Sequence, residues 1–150
     1  MWTANIQYTI NITPGLQQGL VRWWESPRIN LKFLHFHPIV IKDWSVSAPF
    51  SHLVGGMQYR DGKLTVPTTG RYFIYLHAYY RSTGRIYVYV SGKLVTMLQS
   101  HTPGGGEYGT AYTAGVFNLK SGDVITFASA YSNCKIYMHS YHTYFGAYLI

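Results

Sequence analysis

The stretch RYFIYLHAYYRSTGRIYVYVSGKLVTMLQSH, residues 71–101, decides the fold class of this chain. Aromatic and β-branched residues, which favour strands, fill three short runs within it. Two glycine-containing turn sequences, Ser-Thr-Gly at 82–84 and Ser-Gly-Lys at 91–93, separate these runs. The stretch therefore predicts consecutive strands that are joined by short turns.

The middle run, RIYVYV, alternates strictly between two kinds of side chain. Ile86, Val88 and Val90 fall on one face of the predicted strand, and Tyr87 and Tyr89 fall on the other. The aliphatic face predicts a packed core, whereas the other face presents tyrosines with little charge. Several strands of this kind would leave a large apolar patch on a monomer, and such patches usually mark association.

Strand signals continue on both sides of this stretch. Upstream, KLTVP leads into a Thr-Thr-Gly turn, and the region of residues 6–12 also reads as a strand. Downstream follow TAYTAGVFNL, a turn at 120–123 and VITFASAY. The final run, TYFGAYLI at 143–150, is apolar on both faces, which predicts an interior strand. The best helical candidate, residues 15–26, is weakened by two glycines. We therefore predict an all-β antiparallel sandwich or barrel.

The 150 residues suffice for one domain with a substantial core. Charged residues make up only 11% of the chain, and aromatic residues reach 17%, with tyrosine, a residue favoured at interfaces, the commonest of them. The net charge of +7 suits an acidic partner, a glycan or an anionic surface. Because the basic residues are scattered rather than clustered, we predict no nucleic-acid partner.

The single cysteine, Cys134, excludes an intrachain disulfide. Asn11 begins an Asn-Ile-Thr triplet, so it is a candidate for N-glycosylation. The sequence has neither an apolar run of transmembrane length nor a signal peptide at Met1. Two interpretations stay open: a cytosolic protein, or an ectodomain separated from its leader or anchor.

Metal and catalytic sites are poorly supported by the residue pattern. His35 and His37 share a strand face at a spacing that can chelate zinc, and Cys134, His139 and His142 form a second candidate cluster. Neither set is recognisably complete, so we predict no metal and no cofactor. The chain also lacks a nucleophile-elbow motif. Its few acidic residues are Glu25, Asp43, Asp61, Glu107 and Asp123. We therefore predict a non-enzyme, in which Asp61 and Asp123 satisfy local backbone groups in turns.

Three motifs, taken in order, resemble the tumour necrosis factor (TNF) ligand homology domain. They are GGMQYRDGKLTVPTTGRYFIYLHAYY at 55–80, TAGVFNLKSGD at 113–123 and TYFGAYLI at 143–150. Trp44 matches a tryptophan that the family has upstream of this block. The zinc site that one member builds through a cysteine on its E strand has no counterpart here, and the disulfide that links two upper loops in many members is impossible. The resemblance is therefore to a divergent or invertebrate-type member of the family.

The resemblance implies a ten-stranded jelly-roll β-sandwich that assembles as a compact homotrimer. Residues 29–150 would form this domain, and residues 1–28 would be an N-terminal extension with an extra strand and a short helix. The last strand would lie in the middle of a sheet, with one face on the core and the other on neighbouring subunits. Tyr75, Tyr112 and Tyr144 would meet at the trimer axis.

The implied function is that of an extracellular cytokine ligand in immune signalling. Such ligands are secreted or shed from type II membrane proteins, whose anchor would lie outside these residues. Cysteine-rich receptor ectodomains bind in the grooves between protomers. The matching receptor-binding candidates here are Lys93, Tyr108, His139, Tyr141 and His142. The turn at 91–93 corresponds to the family's D–E loop, whose tip usually carries a hydrophobic side chain that contacts the receptor. Because this tip is Ser-Gly-Lys, we expect tyrosines to anchor the receptor. The alternative is a C1q-like pattern-recognition or glycan-binding module.

Overall fold

The computed structural model describes residues 3–7, 38–46, 51–82, 84–100, 108–130, 134–139 and 141–150. Within these ranges the chain forms eleven β-strands. In chain order they are β1 (Thr3–Gln7), β2 (Ile39–Val40), β3 (His52–Leu53), β4 (Gln58–Arg60), β5 (Lys63–Thr65), β6 (Gly70–Tyr80), β7 (Arg85–Val90), β8 (Lys93–Gln99), β9 (Gly109–Leu119), β10 (Val124–Ser129) and β11 (Tyr144–Leu149). The same ranges contain no helix with the length and apolarity that a membrane span requires.

The strands form two antiparallel sheets. The five-stranded sheet has the order β3-β1-β11-β6-β9, and the six-stranded sheet has the order β4-β5-β10-β7-β8, with β2 paired to β10. From β6 onward the chain crosses repeatedly between the sheets, with β6, β9 and β11 in one and β7, β8 and β10 in the other, which produces the jelly-roll sandwich that the sequence predicted. The terminal strand β11 lies between β1 and β6, so its predicted position in the middle of a sheet is confirmed.

Two tight hairpin turns fix the register of the six-stranded sheet. Asp61 and Gly62, which join β4 to β5, have φ values of 49° and 80°. Ser91 and Gly92, which join β7 to β8, have φ values of 46° and 79°. Positive φ at both central residues matches the type I′ turn, whose twist suits paired strands. The Asp61 carboxylate forms an ion pair with Lys42 Nζ at 3.2 Å, not the local backbone contact predicted for it.

Asp123 has the predicted structural role in the turn between β9 and β10. Its carboxylate accepts hydrogen bonds from the Lys120 backbone N–H and from the Ser91 hydroxyl, each at 2.7 Å. These hydrogen bonds lower the pKa of Asp123 below its ordinary value because they favour the charged carboxylate. The contact to Ser91 joins this turn to the β7–β8 turn at the same end of the sandwich.

An aromatic cluster occupies the core between the two sheets. The ring centroids of Phe127 and Phe145 lie 4.2 Å apart, and the indole of Trp44 packs edge-on against Phe145 at 4.7 Å. The indole N–H of Trp44 donates to the Ile41 carbonyl at 3.0 Å, so its polar atom is satisfied although the side chain is buried. Phe145 belongs to β11 and Phe127 to β10, so this cluster connects the two sheets.

The predicted alternation of side chains is confirmed in β7 and β11. Ile86 and Val88 are fully buried, and Tyr87 and Tyr89 lie on the outer side of the six-stranded sheet. In β11, Phe145 and Ala147 point into the core, which leaves Tyr144, Gly146 and Tyr148 on the outer side. One face of β11 therefore packs the core, and the other face remains available for contacts outside the protomer.

The N-terminal predictions fall largely outside the described residues. β1 overlaps the strand region expected at residues 6–12 only at residues 6 and 7, and it lies between β3 and β11 in the five-stranded sheet. This strand is therefore part of the sandwich, and its assignment to an N-terminal extension stays a prediction. The helical candidate, Asn11, His35 and His37 lie outside the described residues. The domain boundary at residue 28 stays a prediction.

Candidate functional site

The outer side of the five-stranded sheet is covered by aromatic rings, and we call it the aromatic face. Its residues follow from strand alternation, because their neighbours along each strand point into the core. The face consists of Phe73, Tyr75, His77 and Tyr79 from β6, Tyr112 and Val116 from β9, and Tyr144 and Tyr148 from β11. Cross-strand pairing places these residues side by side on one surface.

Neighbouring rings on the aromatic face are in contact across the strands. His77 stacks on Tyr144 with ring centroids 4.9 Å apart, and Tyr75 meets Tyr144 edge-on at 6.4 Å. The Tyr75 ring also lies over Gly146, which is paired with it on β11, so that a Cβ at Gly146 would collide with the ring. Because Gly146, the glycine in the motif TYFGAYLI, has no side chain, the Tyr75 ring can lie over it on the aromatic face.

The structure brings the three predicted axis residues together on this face. Burial of the Tyr75 hydroxyl, with smaller contributions from Tyr144, Tyr112 and Tyr148, raises the pKa of Tyr75 above its ordinary value. Tyr112 lies on the edge strand β9 and is 58% exposed in the single chain. These three tyrosines therefore form one surface cluster, and their position on a trimer axis stays a prediction.

Exposed apolar side chains also lie along a lateral edge of the sandwich, next to the aromatic face. The edge strands β8 and β9 belong to different sheets but lie side by side, and the hydroxyls of Thr96 and Thr113 are 3.1 Å apart. Leu94 and Met97 on β8 are exposed, as are Tyr112 and Val116 on β9. Apolar side chains therefore face outward along this edge as well as on the aromatic face.

A second group of rings lies at the end of the sandwich where β6 finishes and β9 begins, and we call it the end cluster. It consists of Tyr79, Arg81, Tyr108, Tyr137, His139, Tyr141 and His142. The ring of His142 lies 5.0 Å from both the Tyr79 and Tyr137 rings, and Tyr141 packs beside His139 at 5.2 Å. The cluster therefore gathers side chains from three separate parts of the chain.

Buried Thr143 holds the end cluster together. Its hydroxyl accepts a hydrogen bond from the Tyr79 backbone N–H at 3.1 Å and donates one to the Tyr137 carbonyl at 2.9 Å. An isolated bridge between Tyr80 and Ile136 adds a further backbone connection. Because one side chain binds both β6 and residues 134–139, the rings that these segments carry are fixed relative to β11.

The predicted receptor-binding residues are divided between two ends of the molecule. Tyr108, His139, Tyr141 and His142 all belong to the end cluster, where Tyr141 is 70% exposed. Lys93 begins β8 beside the turn of Ser91, at the opposite end. The eleven residues of β9 separate these ends, which corresponds to about 35 Å. Lys93 therefore does not share a local surface with the other four residues.

The family resemblance also implies receptor contacts in the loops 82–84, 91–93, 103–108 and 139–142, of which residues 83, 103–107 and 140 lie outside the described residues.

Sequence reasoning did not identify Tyr79, Arg81 and Tyr137 as part of this site. Tyr79 in β6 and Arg81 directly after it are two residues apart, a spacing that predicts the same outward side, so the sequence offers a signal for this pair. Tyr137 joins them only through the backbone pairing of residues 79 and 137, where the Tyr137 N–H donates to the Tyr79 carbonyl at 2.8 Å. No local sequence pattern predicts that contact.

The predicted cluster of Cys134, His139 and His142 is not assembled as a metal site. The described residues contain no group of three or more His, Cys, Asp or Glu side chains that could hold a metal ion. Cys134 is a buried free thiol that packs against Gly84 and the Tyr80 ring, and burial raises its pKa above the ordinary value. Its sulfur belongs to the core, whereas the two histidines belong to the end cluster.

Comparisons with known proteins agree with this geometry. The model of the TNF (Tumour Necrosis Factor) family matches residues 42–103. A crystal structure of murine APRIL at pH 8.0 superposes with a TM-score of 0.65 at 18% identity, covering 99% of this chain and 98% of that chain. Murine APRIL at pH 5.0 gives a TM-score of 0.65 at 17% identity with the same coverage. Among curated proteins no match is found. The family match and the shared fold together confirm that this chain resembles the TNF family, as its sequence motifs predicted.

Proposed function

We propose that this chain is an extracellular TNF-like cytokine ligand that acts as a homotrimer and binds cysteine-rich receptor ectodomains. Ligands of the TNF family typically trimerise and bind TNF receptors. The observation that carries the proposal is the aromatic face. Between Arg71 of β6 and Arg81, which directly follows β6, every outward position is a neutral aromatic residue or His77. A face of this composition on one protomer is typical of an association surface.

The proposed assembly places the edge of one protomer against the aromatic face of the next. The edge formed by β8 and β9 carries exposed Leu94, Met97 and Tyr112, which are apolar groups without a covering element in the described chain. A contact between two different surfaces is heterologous, and three such contacts can close a ring. Burying one aromatic ring contributes about 1.5–3 kcal/mol, and the threefold repeat multiplies that contribution.

We expect the purified protein to be a stable homotrimer. Multi-angle light scattering at micromolar concentration should give a mass about three times 17.1 kDa, because the aromatic face and the exposed edge are buried against each other. The measurement should be repeated over a hundredfold range of concentration. A monomer at every concentration would contradict both the trimer and a binding groove between protomers.

The receptor site that we propose is the end cluster. Tyr108 and Tyr141 are its most exposed tyrosines, and large aromatic side chains dominate the energetics of many protein interfaces. His139 and His142 lie among these rings and supply polar edges. Lys93, at the other end of the sandwich, is assigned the lesser role of adjusting the association rate.

Replacing Tyr141 by alanine should weaken receptor binding by at least about 2 kcal/mol, because the variant loses an exposed anchor. The matched control, Lys93→Ala, should cost less than about 1 kcal/mol because a rim charge contributes little to affinity. Candidate receptor ectodomains are first captured with the wild-type protein, and the dissociation constants are then compared by surface plasmon resonance. The assignment would be contradicted if Lys93→Ala weakened receptor binding strongly and Tyr141→Ala left it unchanged, with both variants remaining trimeric.

The remaining parts of the proposal follow from the family resemblance. The protein would be secreted or shed from a type II membrane anchor, would signal in immune responses and would bind instead of catalysing, since ligands of this family are cytokines. Asn11 is the proposed glycosylation site. The alternative, a C1q-like glycan-binding module, is favoured by the net charge of +7. It predicts binding to polyanions that weakens steeply as salt increases.

A further inference from the structure

Arg81 lies at the end of β6 with its guanidinium between two aromatic rings. The guanidinium carbon is 5.6 Å from the centroid of the Tyr108 ring and 5.9 Å from that of Tyr137. Its Nη2 atom also approaches the Tyr108 hydroxyl at 3.4 Å. Because the rings hold the long side chain in place, less conformational freedom is lost when its remaining N–H groups bind a partner. The residue is exposed, so those groups face solvent.

No carboxylate neutralises Arg81 in the part of the chain that the structure describes. Asp61 forms an ion pair with Lys42. Asp43 lies in the same region, close enough to Tyr59 to add to the rise that burial causes in the pKa of that tyrosine. Asp123 is bound by Ser91 and Lys120 at the opposite end of the sandwich. The residue opposite Arg81 is Lys135, whose carbonyl accepts the Arg81 backbone N–H at 2.8 Å, so a second cation lies nearby.

We propose that the end cluster recognises an acidic protein segment, one of whose carboxylates docks on Arg81 between Tyr108 and Tyr137. This inference rests on the proposed receptor function of the same surface. A guanidinium can donate two parallel hydrogen bonds to one carboxylate, a geometry that lysine does not offer. The flanking rings exclude water and strengthen that interaction, and tyrosine and arginine are the residue types that dominate interface energetics. Lys135 and the net charge of +7 steer an acidic partner toward the site.

An acidic peptide fits this surface better than a sulfated glycan does. A polyanionic chain is bound by many cations spread along its length. At this end, the described residues offer Arg81 and Lys135, while the Arg85 side chain already donates to Gln99 at 2.6 Å. Lys93 and Lys120 lie one strand length away. The site is therefore a single guanidinium between two aromatic rings and not an extended row of basic residues.

The test uses the intact protein and a phage-displayed library of random dodecapeptides as the probe. Selected peptides should be enriched in Asp and Glu, and synthetic copies should lose at least about tenfold in affinity on Arg81→Ala. Arg81→Lys should lose nearly as much, because it keeps the charge but not the fork or the stacking. The control Arg71→Ala, which removes an exposed arginine at the other end of β6, should bind within about twofold of the wild type. Melting curves verify that each variant is folded.

Several outcomes would overturn the inference. The first is that the selected peptides are not enriched in Asp and Glu. The others are that Arg81→Ala binds them as tightly as the wild type does, or that Arg81→Lys retains the full affinity. A heparin octasaccharide that binds through Arg81 while the acidic peptides do not would assign the surface to glycans. Glu107→Gln serves as a further control, since a gain of about tenfold or more in peptide affinity would show that the chain's own carboxylate occupies Arg81.

The receptor experiment separates this inference from the proposed function. A captured receptor whose affinity is unchanged by Arg81→Ala would overturn the inference and leave the ligand function intact. Acidic peptides that require Arg81, in a protein that captures no receptor ectodomain, would support the inference and count against the ligand function.

Discussion

Replacing Phe145 by alanine is expected to lower the free energy of unfolding by about 3–5 kcal/mol. The Phe145 ring is fully buried, and it contacts Phe127 at 4.2 Å and Trp44 at 4.7 Å between ring centroids. The substitution removes apolar surface and leaves a cavity that the surrounding rings cannot fill without moving. Because these rings belong to both sheets, the loss affects the packing of the whole sandwich.

Urea denaturation at a fixed protein concentration measures this loss, since assembly makes stability depend on concentration. Tyr141→Ala is the matched control, because it removes an aromatic ring that is 70% exposed. It should change the free energy of unfolding by no more than about 0.5 kcal/mol. A loss below about 1 kcal/mol for Phe145→Ala would show that the aromatic cluster is not the centre of the core.

Replacing Tyr144 by aspartate should convert the proposed trimer into a folded monomer. Tyr144 stacks on His77 and meets Tyr75 in the middle of the aromatic face. A carboxylate at this position would be repeated three times and removed from water on assembly, which is strongly unfavourable without paired charges. Tyr112→Asp should act in the same way, since Tyr112 lies on the same face.

Light scattering and circular dichroism together test this prediction, because they separate loss of assembly from loss of fold. Tyr144→Phe is the control, since it keeps the ring and removes only the hydroxyl group, and it should remain trimeric. An aspartate variant that stays trimeric with an unchanged melting temperature would show that the substituted residue lies away from the subunit interface.

The strand pattern and the outer surface could be predicted from local sequence. Alternation in RIYVYV separates core residues from surface tyrosines, because successive side chains of a strand point to opposite sides. Turn sequences such as Ser-Gly at 91–92 mark where one strand ends and the next begins, because their backbone conformations are rarely adopted elsewhere. Local rules therefore predicted the alternation of side chains, whereas the family resemblance was needed to group Tyr75, Tyr112 and Tyr144 on one surface.

The contacts that local rules missed join residues far apart in the chain. The ion pair of Lys42 and Asp61 links two loops, whereas the turn sequence of Asp61 indicated a local role. Arg81 and Tyr137 meet because residues 134–139 pair with the end of β6, which no short motif indicates. The family resemblance groups Lys93 with Tyr108, but the structure places them at opposite ends of the sandwich, because position in a turn sequence does not define the end at which a residue lies.

The position of β11 has a consequence for how the chain acquires its structure. Thr3 pairs with Tyr148, and Tyr72 pairs with Leu149, so the last strand to be synthesised among those described lies between two much earlier ones. Contacts between residues so distant in sequence slow folding, because the entropy of closing a long loop is lost before the contacts form. During translation β1 and β6 emerge from the ribosome long before the strand that joins them. Their aromatic side chains and strand edges would stay unpaired over that interval, when chaperones protect such surfaces from aggregation.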